Sequence, residues 1–192
     1  MRTNESLAGK KVAIPATDGF EQDELLSPRQ ALIDAGADVK VVSPSPNGKI
    51  KGWKSTDWGE KVKVDVALED ARAEEFDALV LPGGVMNPDH LRRDPQVLEF
   101  VKSFFTAGKP VGAICHGPWT LIDAGVVRGR KLTSYASIQT DLKNAGAQWV
   151  DEEVVVDNGL VTSRKPDDLL AFNAKLIEEI AEGVHRGAAM AR

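Results

Sequence analysis

The sequence predicts a single α/β domain in which a mostly parallel β-sheet is covered by helices on both faces. Its length of 192 residues is usual for one domain with a sizeable core. Its composition, with 42% hydrophobic and 28% charged residues, is that of an ordinary globular protein. Short β-rich runs alternate with helical patterns along the chain, and this alternation is typical of parallel sheets with both faces covered.

The first elements are a strand at residues 11–14, a helix, and a second strand at residues 39–42. Gly36 is expected to end the helix in a left-handed conformation. Pro28 predicts that this helix begins or bends there, because proline cannot donate a backbone hydrogen bond. The next segment is rich in proline and glycine, and Asn47-Gly48 within it predicts a hairpin turn.

Two apolar strands in the middle of the chain end at small or reactive residues. The strand at residues 77–81 leads into a Pro-Gly-Gly sequence, and the strand at residues 111–114 leads into Cys115. Between them, Asp94 followed by Pro95 predicts the capped start of a helix that ends near residue 107. Further strands are predicted at residues 62–64, 131–133, 154–156 and 160–162, the last two joined by a hairpin turn at Asp157-Asn158-Gly159. Further helices are predicted at residues 118–124, 138–145 and 167–181.

The domain is predicted to span residues 10–182, with no repeat and no linker inside it. Residues 1–9 form a polar N-terminal tail without the apolar core of a signal peptide. Residues 183–192 form a C-terminal tail with little to bury.

Charge and composition argue against several classes of function. A net charge of −5 without a dense basic block argues against nucleic acid and, more weakly, against anionic membrane surfaces. No apolar run approaches the roughly 18 residues of a membrane span. One cysteine cannot form an internal disulfide, so the cytoplasm is the expected location. With three histidines and one cysteine, neither a metal site nor another cofactor is expected.

The turn around Cys115 carries the main functional hypothesis. A hydrophobic strand stops at this residue, small residues surround it, and Pro118 starts a helix. This pattern is similar to a nucleophile elbow, a strained turn that exposes a nucleophile at the carboxyl edge of a sheet. The following helix would point its positive end at the sulfur and favour the thiolate. The alternative is a buried structural cysteine.

Three neighbouring features fit the same edge of the sheet. His116 has a side chain suited to general acid–base work, or it is a surface histidine on the first helical turn. Gly83-Gly84 allows backbone amides to approach a substrate closely, or it forms only a tight turn. The acidic run at residues 21–24 places a carboxyl near the cysteine, or it only complements a helix dipole.

These motifs resemble the PfpI family of intracellular cysteine proteases and stress proteins. That family lies within the ThiJ/PfpI superfamily, which includes the Parkinsonism-associated deglycase. The resemblance implies a flavodoxin-like three-layer sandwich related to class I glutamine amidotransferases. It extends from Lys11 to about Ile180, and its motifs lie at residues 18–25, 81–84, 113–118, 129–135 and 162–169.

The resemblance also implies residue roles. Cys115 would be the nucleophile and His116 its base, while Glu24 matches a protonated glutamate that hydrogen-bonds the cysteine. Gly84 would bind the oxyanion together with the His116 amide, and Asp89 would complete a triad from a partner subunit, which requires at least a homodimer. The substrate and oxyanion groups near the turn comprise Gly83, Gly84, Gly117 and Trp119.

Two functions remain open at this point. The first is a cysteine hydrolase of peptides or of glyoxal-type adducts, and the second is a redox sensor or chaperone-like stress protein that acts through oxidation of Cys115. A glutaminase would need a His-x-Glu pair near the carboxyl end, where only His185 occurs. An α/β-hydrolase lacks a suitable late histidine in the same way.

Overall fold

The computed structural model describes residues 6–45 and 47–185, and it confirms the predicted α/β architecture. In chain order the elements are β1 Lys11–Pro15, β2 Phe20–Glu21, α1 Gln22–Asp34, β3 Asp38–Ser43, β4 Lys49–Lys54, β5 Asp57–Lys63, β6 Val66–Ala67, β7 Ala78–Leu81, α2 Met86–Leu91, α3 Pro95–Thr106, β8 Val111–Ile114, α4 Pro118–Asp123, β9 Lys131–Leu132, α5 Gln139–Asn144, β10 Gln148–Trp149, β11 Val154–Asp157, β12 Leu160–Ser163 and α6 Leu169–Glu182.

Seven of these strands form the central sheet, in the order β11-β12-β8-β7-β1-β3-β6. All neighbours are parallel except β11, which forms an antiparallel hairpin with β12. Helices α1 and α6 pack on one face, and α3 and α4 pack on the other. The result is the flavodoxin-like three-layer sandwich that the family resemblance implied.

The two apolar layers follow from side-chain alternation along the strands. In β7, Ala78 and Val80 face the layer of α1 and α6, while Leu79 and Leu81 face that of α3 and α4. Gly112 in β8 lets α6 approach closely, since a Cβ there would lie 2.8 Å from Leu176 Cδ1. This contact fixes the strand that carries Cys115.

Two local expectations are corrected by the structure. Pro28 was predicted to begin or bend the first helix, and the predicted start is wrong, because α1 begins at Gln22 and runs through Pro28. Its buried face recurs every three to four residues on both sides of Pro28, so tertiary packing offsets the cost of the proline. The hairpin of β4 and β5 turns at Ser55, whose φ is 56°, whereas Asn47-Gly48 precedes the first strand.

The ends of the described chain pack more extensively than predicted. Leu7, assigned to the N-terminal tail, is fully buried, and its amide donates to the Ala35 carbonyl at 2.8 Å. At the other end, the His185 amide donates to the Gly108 carbonyl at 2.8 Å.

Helix α2 was not predicted. None of the helices in residues 6–45 and 47–185 is both long enough and apolar enough to span a membrane.

Candidate active site

Three separate segments meet at the carboxyl edge of the central sheet. Strand β8 ends at Ile114 and delivers Cys115, while the neighbouring β7 ends at Leu81 and leads to Gly83. Helix α1, which follows β1 and the short β2, carries Glu24 to the same point. Parallel strands bring their following loops together in this way, as the sequence predicted.

Cys115 has the strained backbone that a nucleophile elbow requires. Its φ is 62°, which is unusual for a residue other than glycine. Its amide donates to the Ser163 carbonyl at 3.0 Å, and its carbonyl accepts from the Tyr135 amide at 2.9 Å. These bonds to two neighbouring segments hold the turn in place. The residue is 7% exposed, so its sulfur lies just beneath the surface.

Gly117 gives the turn its shape. A Cβ at this position would lie 2.7 Å from the Leu81 carbonyl oxygen and 2.8 Å from that of Ile114. The Gly117 amide already donates to the Ile114 carbonyl at 2.8 Å. Gly117 therefore makes close backbone packing possible, and its amide is engaged within the turn rather than directed at a substrate.

The imidazole of His116 lies beside the thiol. Its Nδ1 is 3.2 Å from the Cys115 sulfur, and its Nε2 is 3.0 Å from Ser137 Oγ. Burial lowers the pKa of His116, so the ring is neutral at pH 7. When Nε2 carries the proton and donates to Ser137, Nδ1 is free to accept the thiol proton.

Two aromatic rings position this imidazole. Tyr135 stacks on His116 at a centroid distance of 5.0 Å, and Trp119 meets its edge at 5.2 Å. Ser137 was not among the predicted site residues. Nothing in its local sequence distinguishes it from other surface serines, because it reaches His116 only through the fold.

Glu24 is completely buried, beneath the Gly83 loop. Its Oε2 accepts from the Gly83 amide at 2.9 Å. Its Oε1 makes no hydrogen bond of standard geometry with a described residue, although carboxyl and thiol lie close enough to shift each other's pKa. Burial raises the pKa of Glu24 from 4.5 to about 8, so the carboxyl is protonated at pH 7.

The thiol of Cys115 is protonated at rest, contrary to the expectation from the helix dipole. Burial raises its pKa, and a negative charge on Glu24 would raise it further. The backbone amides of Gly84 and His116 act in the opposite direction and lower it. Because Glu24 is neutral at pH 7, its repulsion is absent there, and the His116 imidazole, 3.2 Å away, lies beside the thiol as a neutral proton acceptor.

Gly84 brings its amide to the sulfur by a backbone approach that only glycine allows. Its φ is 77°, and a Cβ there would lie 2.5 Å from the Gly19 carbonyl oxygen and 2.7 Å from the Glu21 amide nitrogen. The amide of the preceding Gly83 is already bound to Glu24. The amides of Gly84 and His116 are therefore the two that face the Cys115 sulfur.

Asn87 supports this loop and was not predicted. It is fully buried, and its Nδ2 donates to the carbonyls of Pro82 at 3.0 Å and Gly83 at 3.3 Å. Its Oδ1 accepts from the Thr17 amide at 2.8 Å. The sequence offers only an asparagine three residues after Gly83-Gly84, and its burial follows from the fold.

Comparison with known proteins shows that one family model matches almost the whole described chain. The model of the DJ-1/PfpI family matches residues 10–179. The chain belongs to this family. Residues outside the match are confined to the two ends, so the site described above lies entirely inside the DJ-1/PfpI region.

Several DJ-1/PfpI relatives have informative names. Protein/nucleic acid deglycase 2 of Escherichia coli is 48% identical over 170 residues, which cover 88% of this chain and 96% of that protein. General stress protein 18 of Bacillus subtilis is 46% identical over 166 residues, covering 86% and 94%. Another B. subtilis protein, named as a candidate cysteine protease, is 48% identical over 164 residues, covering 85% and 94%. The crystal structure of Drosophila melanogaster DJ-1beta matches with a TM-score of 0.81 and 31% identity, covering 90% of each chain.

Two predicted site residues lie outside the group around the sulfur. Asp89, assigned by the DJ-1/PfpI resemblance to a partner's triad, is exposed on α2, and no hydrogen bond or ion pair joins it to His116 within the described chain. Trp119 forms a wall of the site. Its Nε1 donates to Asp141 at 2.9 Å, and the Arg92 guanidinium lies 5.1 Å from its ring centroid.

Proposed function

We propose that this protein is a cysteine-dependent hydrolase that removes small dicarbonyl adducts, such as those that methylglyoxal forms on amines. The observation that carries the proposal is the 3.2 Å contact between Cys115 Sγ and His116 Nδ1 in a strained turn with two amides facing the sulfur. The relative named as a deglycase supports this choice of reaction.

The reaction begins with transfer of the thiol proton to His116 Nδ1. The thiolate of Cys115 then attacks the adduct carbon, so that a C–S bond forms as the C–N bond to the amine breaks. The imidazolium returns its proton to the departing amine. An internal proton shift between the two carbons of the dicarbonyl unit gives a thioester, and water hydrolyses it to the acid and the free thiol. The amides of Gly84 and His116 stabilise negative charge on oxygen during these steps.

Limited access to the sulfur favours small substrates over extended peptides. Cys115 is 7% exposed and His116 is 8% exposed, and the rings of Tyr135 and Trp119 flank the imidazole. A short adduct at the end of a side chain reaches such a recessed sulfur more easily than the backbone of a peptide does. Cleavage of peptides is therefore the less favoured reaction.

The deciding experiment measures amine release from a preformed adduct. Methylglyoxal-treated N-acetyl-lysine is freed of excess aldehyde and incubated with the full-length protein, with a trapping agent present to consume aldehyde released spontaneously. We expect amine release above the trapped background, and loss of that release in Cys115→Ser and His116→Ala. If both variants were as active as the wild type, this site would be ruled out. A fluorogenic peptide tested in parallel distinguishes a protease.

A redox role is the second candidate, and Glu24 favours it. A buried carboxyl that is protonated at pH 7 can donate a hydrogen bond to an oxidised sulfur, such as a sulfinate at Cys115. Mass spectrometry after mild peroxide treatment tests this role. We expect addition of two oxygen atoms in the wild type and further oxidation in Glu24→Ala. An unmodified Cys115 at doses that oxidise free thiols would exclude it.

The proposal includes a homodimer in which Asp89 contributes to the active site of the partner subunit. The predicted homodimer would bring Asp89 of one subunit towards the site of another, and light scattering measures whether a dimer forms. Asp89→Asn should then lower activity while leaving the dimer intact; unchanged activity would remove Asp89 from the site.

We place the protein in the cytoplasm, since a free reactive thiol persists best in a reducing compartment.

A further inference from the structure

A second cluster of ionisable side chains lies at the opposite edge of the sheet from Cys115. Helix α6 ends at Glu182, and Gly183, with φ 85°, turns the chain back. His185 is then held against the body of the domain, because its amide donates to the Gly108 carbonyl and its ring packs on Gly159. A Cβ on Gly159 would lie 2.7 Å from the imidazole Cδ2. These contacts with Gly108 and Gly159 fix the position of the imidazole.

The imidazole faces two carboxylates of the last helical turns. The ligand atoms of Glu179, Glu182 and His185 all lie within 4.8 Å of one another. His185 Nε2 and Glu179 Oε2 are 3.2 Å apart, within ion-pair distance if the imidazole is protonated, and neither atom makes a hydrogen bond of standard geometry in the described chain. The two atoms are buried and directed at the same small space.

The charge at this place is incompletely balanced. Glu179 is 7% exposed, and two carboxylates, those of Glu179 and Glu182, face a single imidazole. The nearby Lys175 pairs with Glu178, and no ion pair joins Lys10, which lies near Gly183, to either carboxylate in the described chain.

We propose that Glu179, Glu182 and His185 bind a zinc ion. Zinc accepts one imidazole nitrogen and carboxylate oxygens at about 2.0 Å, with water at the fourth tetrahedral position. Two ligands of such a tetrahedron are about 3.3 Å apart, which agrees with the 3.2 Å between His185 Nε2 and Glu179 Oε2. The exposed Glu182 closes on the ion by rotation of its side chain.

This site differs from what composition predicted. Few histidines and a single cysteine argued against zinc, but two carboxylates supply the ligands that those residues do not. The ion would join the end of α6 to the segment at residues 183–185 and, through it, to the turn at Gly108. We expect the ion to hold these segments together, independently of the chemistry proposed at Cys115.

Isothermal titration of the metal-free, full-length protein with zinc chloride tests the site. A Cys115→Ser background removes thiol binding at the other edge. We expect one zinc per chain with a dissociation constant below about 10 μM, and binding at least about tenfold weaker in His185→Gln and in Glu182→Gln. Glu178→Gln, on the same helix, and His90→Ala, on α2, are the matched controls and should bind as tightly as the background protein.

Thermal unfolding gives a second readout that does not depend on enzymatic activity. At a hundredfold excess of zinc over the dissociation constant, Tm should rise by about 5–10 °C, and EDTA should reverse the rise. Circular dichroism of each metal-free variant shows whether it is folded. Zinc binding that is absent, or that is equally tight in both ligand variants, would overturn the proposal.

Discussion

Replacing Glu24 by glutamine removes an acid that folding transfers from water into the protein interior. The side chain is completely buried, and its pKa rises from 4.5 to about 8. Between these two values the unfolded chain has released the proton and the folded chain still holds it. The free energy of unfolding therefore falls as pH rises through this window, by about 1.4 kcal/mol per pH unit. Below pH 4.5 both states are protonated and the effect vanishes.

The glutamine variant has the same shape and no such titration. Its side-chain oxygen can still accept from the Gly83 amide, which now bonds to Glu24. Relative to Glu24→Gln, the wild type should lose about 3 kcal/mol of stability between pH 5 and pH 7. Below pH 4.5 Glu24 is uncharged in both states and resembles glutamine, so we expect the two proteins to be about equally stable there and the variant to be the more stable at neutral pH.

Urea unfolding followed by tryptophan fluorescence at pH 5, 6, 7 and 8 measures this difference, with protein concentration held constant. Glu69→Gln, at an exposed glutamate, is the control and should follow the wild type at every pH. A constant difference between the wild type and Glu24→Gln across the series would refute the conclusion that Glu24 is protonated in the folded protein.

Three other substitutions test the support of the site. Ser137→Ala removes the partner of His116 Nε2 and should lower kcat about five- to tenfold with little change in KM, because one hydrogen bond contributes about 1 kcal/mol; an unchanged kcat in the amine-release assay would contradict the orienting role. Gly84→Ala places a methyl group 2.5 Å from the Gly19 carbonyl oxygen, at a residue whose φ is 77°. The variant should lose activity, and its free energy of unfolding in urea should fall by about 2–3 kcal/mol. A fully stable variant would show that the loop relaxes. Asn87→Ala leaves two carbonyls and an amide without their partner and should lower the free energy of unfolding by about 2–3 kcal/mol. The control, Asn144→Ala at an exposed position, should lower it by less than about 0.5 kcal/mol, and equal losses in the two variants would show that Asn87 does not support the loop.

Local signals in the sequence predicted many elements correctly. Asp94 caps α3, with its Oδ1 accepting from the Gln96 amide at 2.9 Å. Asn158 and Gly159 both adopt positive φ in the hairpin between β11 and β12. Each of these features depends on neighbours in the chain, so a short stretch of sequence contains the information needed to predict it.

Predictions failed where distant contacts outweigh local preference. Pro28 is accommodated inside α1 because a continuous buried face packs the helix onto the sheet. Asn47-Gly48 has the composition of a hairpin turn, but strand pairing of β4 with β5 places the turn at Ser55. In both places the local preference of the residues for a helix or a turn contributes little, and tertiary packing decides which structure forms.

The sequence by itself determined that a strand ends at Cys115, that a helix follows, and that His116 and a glycine pair belong to the same sheet edge. The structure alone decided that the imidazole reaches the sulfur and that Ser137 contacts its other nitrogen, and it gave burial as the cause of the protonated Glu24 that the resemblance implied. The physical reason is that pKa values and side-chain contacts depend on burial and on residues far apart in the chain. The carboxylate and imidazole cluster at the end of α6 has the same origin, since only folding brings His185 back to Glu179.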